Sequence, residues 1–135
     1  MSAKLASLKE LSLQIVSNTK IRQFANGLTL VGEPMPSKQA AAFTFLVPAG
    51  SASEPAGLDG LTSVLEGVSY RGAGNKDARQ LSDALDDLGV DRGGGADVEY
   101  TTFGGATLGL YLPDALALYA DIIRCPLLPE GEWEP

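Results

Sequence analysis

Short runs of hydrophobic residues in the first third of the chain predict β-strands. Three of these runs are residues 11–16 (LSLQIV), 21–24 (IRQF) and 28–31 (LTLV). Asn26-Gly27 stands between the last two, and this pair favours a tight hairpin turn because both residues tolerate positive φ. We therefore predict that the second and third runs pair as an antiparallel hairpin.

A fourth run, residues 40–47 (AAAFTFLV), is apolar at nearly every position. Phe43, Phe45 and Val47 alternate onto one face of such a strand, and mostly apolar residues also occupy the other face. A strand that is apolar on both faces is expected in the middle of a sheet that is covered on both sides.

A repeat of 3.6 residues replaces the alternation in three later segments and predicts three helices. The first covers residues 58–70. The second opens at a capping box formed by Asp77 and Gln80 and stops at Gly89, and the third begins near Pro113. The residues expected to face inward are Leu61, Val64, Leu65 and Val68 in the first helix, Ala78, Leu81, Leu85 and Leu88 in the second, and Leu116, Tyr119, Ala120 and Ile123 in the third.

Alternation returns in residues 98–112 (VEYTTFGGATLGLYL), where Gly104-Gly105 indicates a bulge or a close backbone approach. The residues expected to share one face are Val98, Tyr100, Thr102, Ala106, Leu108 and Leu110. The order of strands, two helices, strand and helix predicts an α+β fold, with helices packed on a mainly antiparallel sheet. The 135 residues have the size of one domain, which we assign to residues 1–135.

The composition narrows the possible partners. The net charge is −7 and the pI is about 4.4, so a nucleic acid or an anionic membrane surface is not an expected partner. No run has the 18 or so apolar residues of a membrane span, and the N-terminus lacks the apolar stretch of a secretory signal, which favours the cytoplasm. The single cysteine, Cys125, is expected to be a buried thiol.

The chain contains no histidine, the commonest imidazole base and metal ligand. This excludes serine–histidine triads, cysteine–histidine pairs and most zinc sites within the chain. Yet Ser63 and Gly67 lie one turn apart on the first predicted helix, with Glu66 between them. That is the spacing of His-x-x-Glu-His, in which two histidines hold zinc and the glutamate polarises a water molecule. With Tyr70, these residues are expected on the polar side of the helix.

Four successive segments carry a family resemblance: NGLTLVGEPMP, FLVPAGSASEPAGLDGLTSVLEGVSYRGAG, LDDLGVDRGGGADVEYTTF and LPDALALYADIIRCPLLPEGEWE. In this order they resemble the N-terminal domain of the pitrilysin-type, or insulinase-type, zinc metallopeptidases. That family includes insulin-degrading enzyme, the mitochondrial processing peptidase and the core proteins of the cytochrome bc complex. The resemblance covers about residues 26–135, and it implies that the chain is the N-terminal piece of a longer protein.

In the family the helix reads roughly Gly-Leu-Ala-His-Phe-Leu-Glu-His. Ser63 stands at the first histidine, Gly67 at the second, and Glu66 at the catalytic glutamate. The resemblance therefore implies a zinc motif that has been lost. We expect no metal or other cofactor in this chain and a silent Glu66, solvated on the helix surface. The family's third zinc ligand, a glutamate on a later helix, falls beyond the segment that can be compared.

Gly93, Gly94 and Gly95 are expected in a turn or at a sheet edge, where an extended peptide could pair by β-augmentation, as the family binds its substrates. They lack the Gly-Lys-Ser/Thr ending of a phosphate loop. The four aspartates of residues 83–91 lack the spacing of a calcium loop, so we expect a solvated surface there.

The resemblance implies that silent members pair with a homologous zinc-bearing subunit and help it to bind unfolded peptide. We therefore predict a non-catalytic peptidase subunit that is inactive alone. Two hypotheses stay open beside it. One is a scaffold or assembly protein, like the core proteins of the cytochrome bc complex, and the other is an active zinc metalloendopeptidase with unusual ligands.

Overall fold

The computed structural model describes residues 18–130, in two compact units that divide between Lys38 and Gln39. The strand predicted at residues 11–16 lies outside the described residues. The assignment of residues 1–135 to one domain stays a prediction.

The first unit contains the predicted hairpin. Strands β1 (Lys20–Gln23) and β2 (Thr29–Gly32) pair antiparallel, one residue away from the bounds expected from the sequence. Gly27 turns the chain at φ 90°, and the Asn26 side chain accepts a hydrogen bond of 3.2 Å from the Leu28 N–H. The Asn-Gly turn is therefore confirmed.

The second unit is a layer of helices on a small antiparallel sheet, which confirms the α+β fold. In chain order its elements are β3 (Ala40–Val47), α1 (Leu61–Ser69), β4 (Gly72–Ala73), β5 (Lys76–Asp77), α2 (Ala78–Asp87), β6 (Asp91–Ala96), β7 (Thr101–Leu108) and α3 (Leu112–Arg124). The main sheet has the strand order β3-β7-β6, and β4 and β5 form a separate short hairpin.

Strand β3 does not lie in the middle of the sheet, so that prediction was wrong. Within residues 18–130 it pairs with β7 alone, and burial alternates along it. Phe43 and Phe45 pack against the core, whereas Leu46 on the other face is largely exposed. The apolar residues on that face are mostly alanines, and they misled the sequence reasoning because alanine occurs on both covered and open faces.

The core lies between the inner face of the sheet and the three helices. Its fully buried side chains include Leu81, Leu85, Tyr119 and Ile122. In α3 the buried stripe is centred on Ala115, Tyr119 and Ile122, one position away from the stripe predicted through Leu116 and Ile123. In β7 the core-facing residues are the odd-numbered ones, such as Thr101 and Phe103, rather than the apolar even-numbered set.

Gly104 and Gly105 allow the close backbone approach that the sequence indicated. Pairing is continuous through both residues on both neighbouring strands, so there is no bulge in this part of the sheet. A Cβ atom on Gly105 would lie 2.8 Å from the carbonyl oxygen of Asp91 and 3.2 Å from the hydroxyl of Tyr119. That hydroxyl donates a buried hydrogen bond of 2.6 Å to the carbonyl oxygen of Gly104, which ties α3 to the central strand.

The predicted capping box of α2 is present. The Asp77 carboxylate accepts a hydrogen bond of 2.8 Å from the Gln80 N–H, and the Gln80 side chain accepts one of 3.0 Å from the Asp77 N–H. Gly89 follows the helix at φ 58°, as a C-terminal glycine does. Cys125 is exposed where the chain leaves α3, so the prediction of a buried thiol was wrong.

Candidate functional site

The candidate site is built on α1, and a carboxylate fixes where this helix begins. Gly60 precedes the helix with φ 91°, a conformation that glycine adopts readily. Glu54 then accepts three hydrogen bonds, from the N–H of Gly60 at 2.8 Å, the N–H of Thr62 at 2.8 Å and the hydroxyl of Thr62 at 2.6 Å. The Glu54 carboxylate thus accepts hydrogen bonds from N–H groups at the start of the helix, as an N-cap side chain would.

The face that α1 turns to the sheet includes three of the four predicted residues, since Leu61 and Leu65 are half-buried and Val68 is buried, but it excludes the fourth. Val64, expected inside, is 50% exposed, whereas Val68 is buried and Glu66 and Tyr70 are half-buried. Glu66 is therefore less exposed than the sequence predicted. The helix packs on β6 and β7, and the ring of Tyr70 lies 6.1 Å from that of Phe103. Aromatic packing by Tyr70 rotates the buried face away from Val64.

Ser63 and Gly67 are both exposed, one turn apart on the outer side of α1. A Cβ atom added at Gly67 would have no neighbour within 4 Å, so the space beside it is open. These positions therefore face outward, and Glu66 between them turns toward the sheet.

Glu66 borders an open hollow of about 320 Å³ between α1 and strand β6. The other residues that line it are Tyr70, Arg92, Gly93 and Gly94. The Oε1 atom of Glu66 lies 3.3 Å from the place that a Cβ atom on Gly94 would occupy, so the missing side chain brings the carboxyl onto the strand. The hollow thus joins the motif glutamate to two of the glycines that the sequence singled out.

Burial shifts the pKa values of the side chains that line the hollow. Desolvation raises the pKa of Glu66 above its ordinary value. Burial also raises the pKa of Tyr70, and the neighbouring Tyr119 raises it further, so both phenols are protonated at neutral pH. Neither the carboxyl of Glu66 nor the guanidinium of Arg92 forms a hydrogen bond or an ion pair with the described residues.

Strand β6 is an edge strand of the sheet in residues 18–130. Arg92 pairs with Gly105 and Gly94 with Phe103, so both face the helices, whereas Gly93 faces the other way. Gly95 has φ 155° and open space around it. Sequence reasoning found the glycines but missed Arg92 and the inward turn of Tyr70. A single arginine before a run of glycines does not indicate a site in the sequence. Only the pairing register of β6 and β7 shows that Arg92 lies on the helix side of the sheet.

The side chains at the motif positions do not fit a zinc site of the His-x-x-Glu-His kind. Such a site needs two nitrogen ligands one turn apart, and Ser63 offers a hydroxyl whereas Gly67 offers no side chain. In the described part of the chain, no group of three or more acidic or cysteine side chains is placed to hold a metal ion. The aspartates of α2 are exposed, and Asp83 forms a 3.8 Å ion pair with Arg79.

Comparison with known proteins places the chain in a family. The family model for insulinase, peptidase family M16, matches residues 30–135. This chain belongs to peptidase family M16. The predicted resemblance is thereby confirmed.

Curated relatives agree with this membership of family M16. An uncharacterized zinc protease of Streptomyces coelicolor is 31% identical over 106 residues, which are 78% of this chain and 23% of the relative. The mitochondrial-processing peptidase subunit beta of Lentinula edodes is 26% identical over 116 residues, 86% of this chain and 25% of that protein. The M16 chain described here thus spans about a quarter of the length of these relatives.

Solved structures confirm the M16 fold. A peptidase M16 inactive domain from Pseudomonas fluorescens matches with a TM-score of 0.76 and 20% identity, over 84% of this chain and 28% of that one. A protease from Helicobacter pylori matches with a TM-score of 0.77 and 21% identity, over 87% of this chain and 28% of that one. In residues 18–130 of the M16 chain, no helix is long and apolar enough to cross a membrane.

Proposed function

We propose that this M16 domain is non-catalytic and supports peptide binding and proteolysis by a homologous zinc-bearing subunit. One observation carries the proposal. Ser63 and Gly67, the positions one turn apart that flank Glu66, are accessible and offer no nitrogen or thiolate ligand. The helix thus has the one-turn spacing of the motif without the donors that the motif needs.

The absence of zinc ligands at positions 63 and 67 determines what this domain can do chemically. Zinc in such a site acts as a Lewis acid and lowers the pKa of its bound water toward neutrality. Without it, a carboxylate such as Glu66 has no activated water to deprotonate, and amide hydrolysis has no electrophilic assistance. We therefore expect the isolated chain to be inactive toward peptides.

Peptide binding is proposed for the exposed edge of β6. An extended peptide can add a strand to such an edge, with backbone hydrogen bonds that do not depend on peptide sequence. Gly93, Gly94 and Gly95 leave this edge free of side chains, and the hollow beside Glu66 gives peptide side chains room. A domain without zinc ligands could therefore still hold a substrate.

A zinc-bearing partner is proposed because positions 63 and 67 of this domain offer no zinc ligand of their own. The similar protein of Lentinula edodes is named a subunit of the mitochondrial-processing peptidase, and the similar structure from Pseudomonas fluorescens is titled an inactive domain. Both names are compatible with a division of labour between M16 chains.

The decisive experiment purifies the complex from its native source and measures zinc content and peptidase activity, in the complex and in this chain alone. We expect activity and zinc in the complex and neither in the isolated chain. Stoichiometric zinc or activity in the isolated chain would overturn the proposal in favour of a metalloendopeptidase with unusual ligands. A stable complex without any activity would instead support a scaffold.

A variant sharpens this test. Ser63→Ala removes the one side-chain donor left at positions 63 and 67, and Ser82→Ala, which makes the same change on α2, is the control. Both variants should leave the zinc content and the activity of the complex unchanged. A loss of zinc that is confined to Ser63→Ala would show that this hydroxyl is a ligand after all.

A further inference from the structure

Two opposite charges line the hollow, and neither has a partner among the described residues. Glu66 reaches it from α1 and is half-buried, whereas Arg92 reaches it from β6 and is exposed. Elsewhere in the described unit, Arg79 and Asp83 form an ion pair on the surface of α2. Charges left unpaired in a hollow of this size are available to a ligand.

The register of β6 fixes how a paired peptide would meet these charges. Arg92 and Gly94 lie on the helix side of the strand, two residues apart. A peptide residue opposite Gly94 would point to the same side and lie beneath Glu66, because Oε1 is 3.3 Å from the empty Cβ position. The next peptide residue on that side lies about 7 Å away along the strand and faces Arg92.

We propose that the hollow selects extended peptides that carry a basic side chain beneath Glu66 and an acidic side chain beside Arg92, two positions apart. The inference rests on the proposed function, because the peptide has to pair with the edge of β6. It adds that this domain contributes sequence preference to the complex, although it contributes no catalytic group.

The energetics of the two contacts differ. The carboxyl of Glu66 is partly desolvated, which raises its pKa and makes the ionised form less stable than in water. A lysine or arginine side chain would restore a counter-charge where screening is reduced, and its methylene groups would pack against Tyr70. The contact with Arg92 is exposed, so it should add less to the affinity. Its main effect should be to favour one alignment of the peptide along β6.

The test uses nine-residue fluorescent peptides with a threonine and alanine background. The first peptide carries lysine and aspartate two positions apart and is made in both orders. A second peptide has glutamine and asparagine at these positions. A third separates lysine and aspartate by three positions, which places them on opposite faces at the same net charge. Affinity for the full chain is measured by fluorescence anisotropy at 0.15 M salt, where long-range attraction is screened.

We expect the peptide with spacing two, in one of its two orders, to bind about fivefold tighter than the neutral peptide, and the peptide with spacing three to gain less, because only one of its two charges can face the hollow in any register. Glu66→Gln should remove the gain from lysine, and Arg92→Gln the gain from aspartate. Arg79→Gln and Asp83→Asn are matched controls on α2 and should change nothing. Circular dichroism verifies the folding of each variant.

Each other outcome has a definite meaning. Equal affinities for all peptides would overturn the charge selection and leave strand pairing at β6 intact. The same conclusion holds if Glu66→Gln and Arg92→Gln keep the preference. If no peptide binds at millimolar concentration, including the neutral one, the peptide-binding part of the proposed function fails and this inference fails with it.

Discussion

Glu54 and Thr62 are joined by two hydrogen bonds to one carboxylate oxygen, from the N–H of Thr62 at 2.8 Å and from its hydroxyl at 2.6 Å. The other carboxylate oxygen accepts the N–H of Gly60 at 2.8 Å. These bonds hold the loop before α1 against the first turn of the helix. The position of Glu66 relative to β6 therefore depends on Glu54, twelve residues earlier in the chain.

The first prediction concerns Glu54→Gln. Its hydrogen bonds lower the pKa of Glu54, the side-chain bond from the Thr62 hydroxyl first, so folding favours the charged form. This contribution to stability is fully present above the unfolded value of about 4.5 and is lost as the pH falls through the lower folded value. Glu54→Gln should lower the midpoint of urea unfolding at pH 7. The stability of this variant should also depend less on pH below 4.5.

Glu99→Gln is the matched control for this first prediction, because Glu99 is exposed in the turn before β7. It should leave both the midpoint at pH 7 and the acid dependence close to those of the native chain. An equal loss of stability in both variants at pH 7 would mean that the capping role of Glu54 is wrong.

The second prediction concerns Glu66→Gln and has the opposite sign. Desolvation raises the pKa of Glu66, so the folded state binds the proton more tightly than the unfolded state. Its contribution to stability is present below about pH 4.5 and is lost as the pH rises through the raised folded value. Glu66→Gln should therefore modestly raise the free energy of unfolding at pH 7, with little change at pH 4. Urea titrations at both pH values measure this, and a destabilised variant at pH 7 would contradict it.

The third prediction compares two glycines in neighbouring strands. An alanine Cβ at Gly105 would meet Val90 Cγ1 at 2.9 Å and the backbone of β6, whereas one at Gly93 would meet nothing within 4 Å. Gly105→Ala should lower the free energy of unfolding by about 1–3 kcal/mol through overpacking. Gly93→Ala should stay within about 0.5 kcal/mol of the native chain. Equal effects in urea unfolding would show that the sheet yields at Gly105.

The fourth prediction restores imidazoles to α1. The open space beside Gly67 leaves room for a larger side chain, and Ser63 is exposed one turn earlier. Ser63→His combined with Gly67→His should bind Zn²⁺ about tenfold more tightly than either single variant, because two ligands one turn apart chelate one ion. Isothermal titration with Zn²⁺ measures this, and the native chain should show no binding above background.

A second pair of histidines is the control for spacing. Ser63→His with Val64→His puts two imidazoles on exposed neighbouring positions that do not face each other. This pair should bind Zn²⁺ no better than Ser63→His alone. Comparable affinity in the two double variants would mean that the geometry of the helix plays no part.

Local signals in the sequence predicted the fold well. The Asn26-Gly27 turn and the capping box of Asp77 and Gln80 were read correctly, because each depends on the backbone chemistry of a few neighbouring residues. The glycine pair at 104 and 105 predicted a bulge or a close backbone approach, and only the close approach is present. The antiparallel sheet and its layer of helices followed from the order of these local elements.

Other features depend on contacts that are remote in sequence. The burial of Glu66 and the exposure of Val64 follow from the packing of Tyr70 near Phe103, 33 residues later. The edge position of β3 depends on which strands pair, and the placement of Arg92 depends on the register between β6 and β7. Helical periodicity does not record such contacts, so it placed the helix and most of its buried face correctly but assigned Val64 and Tyr70 to the wrong sides.

The exposure of positions 63 and 67 on α1 means that the positions where a metal ligand could stand are not the positions that hold the core together. Neither position supports the core, so exchanging a metal ligand there for serine or glycine leaves no hole and strands no buried polar group. Selection for a stable scaffold and selection for a reactive centre can then act on different residues of one helix. A domain built in this way could gain or lose a metal site by two substitutions without a compensating change in its core.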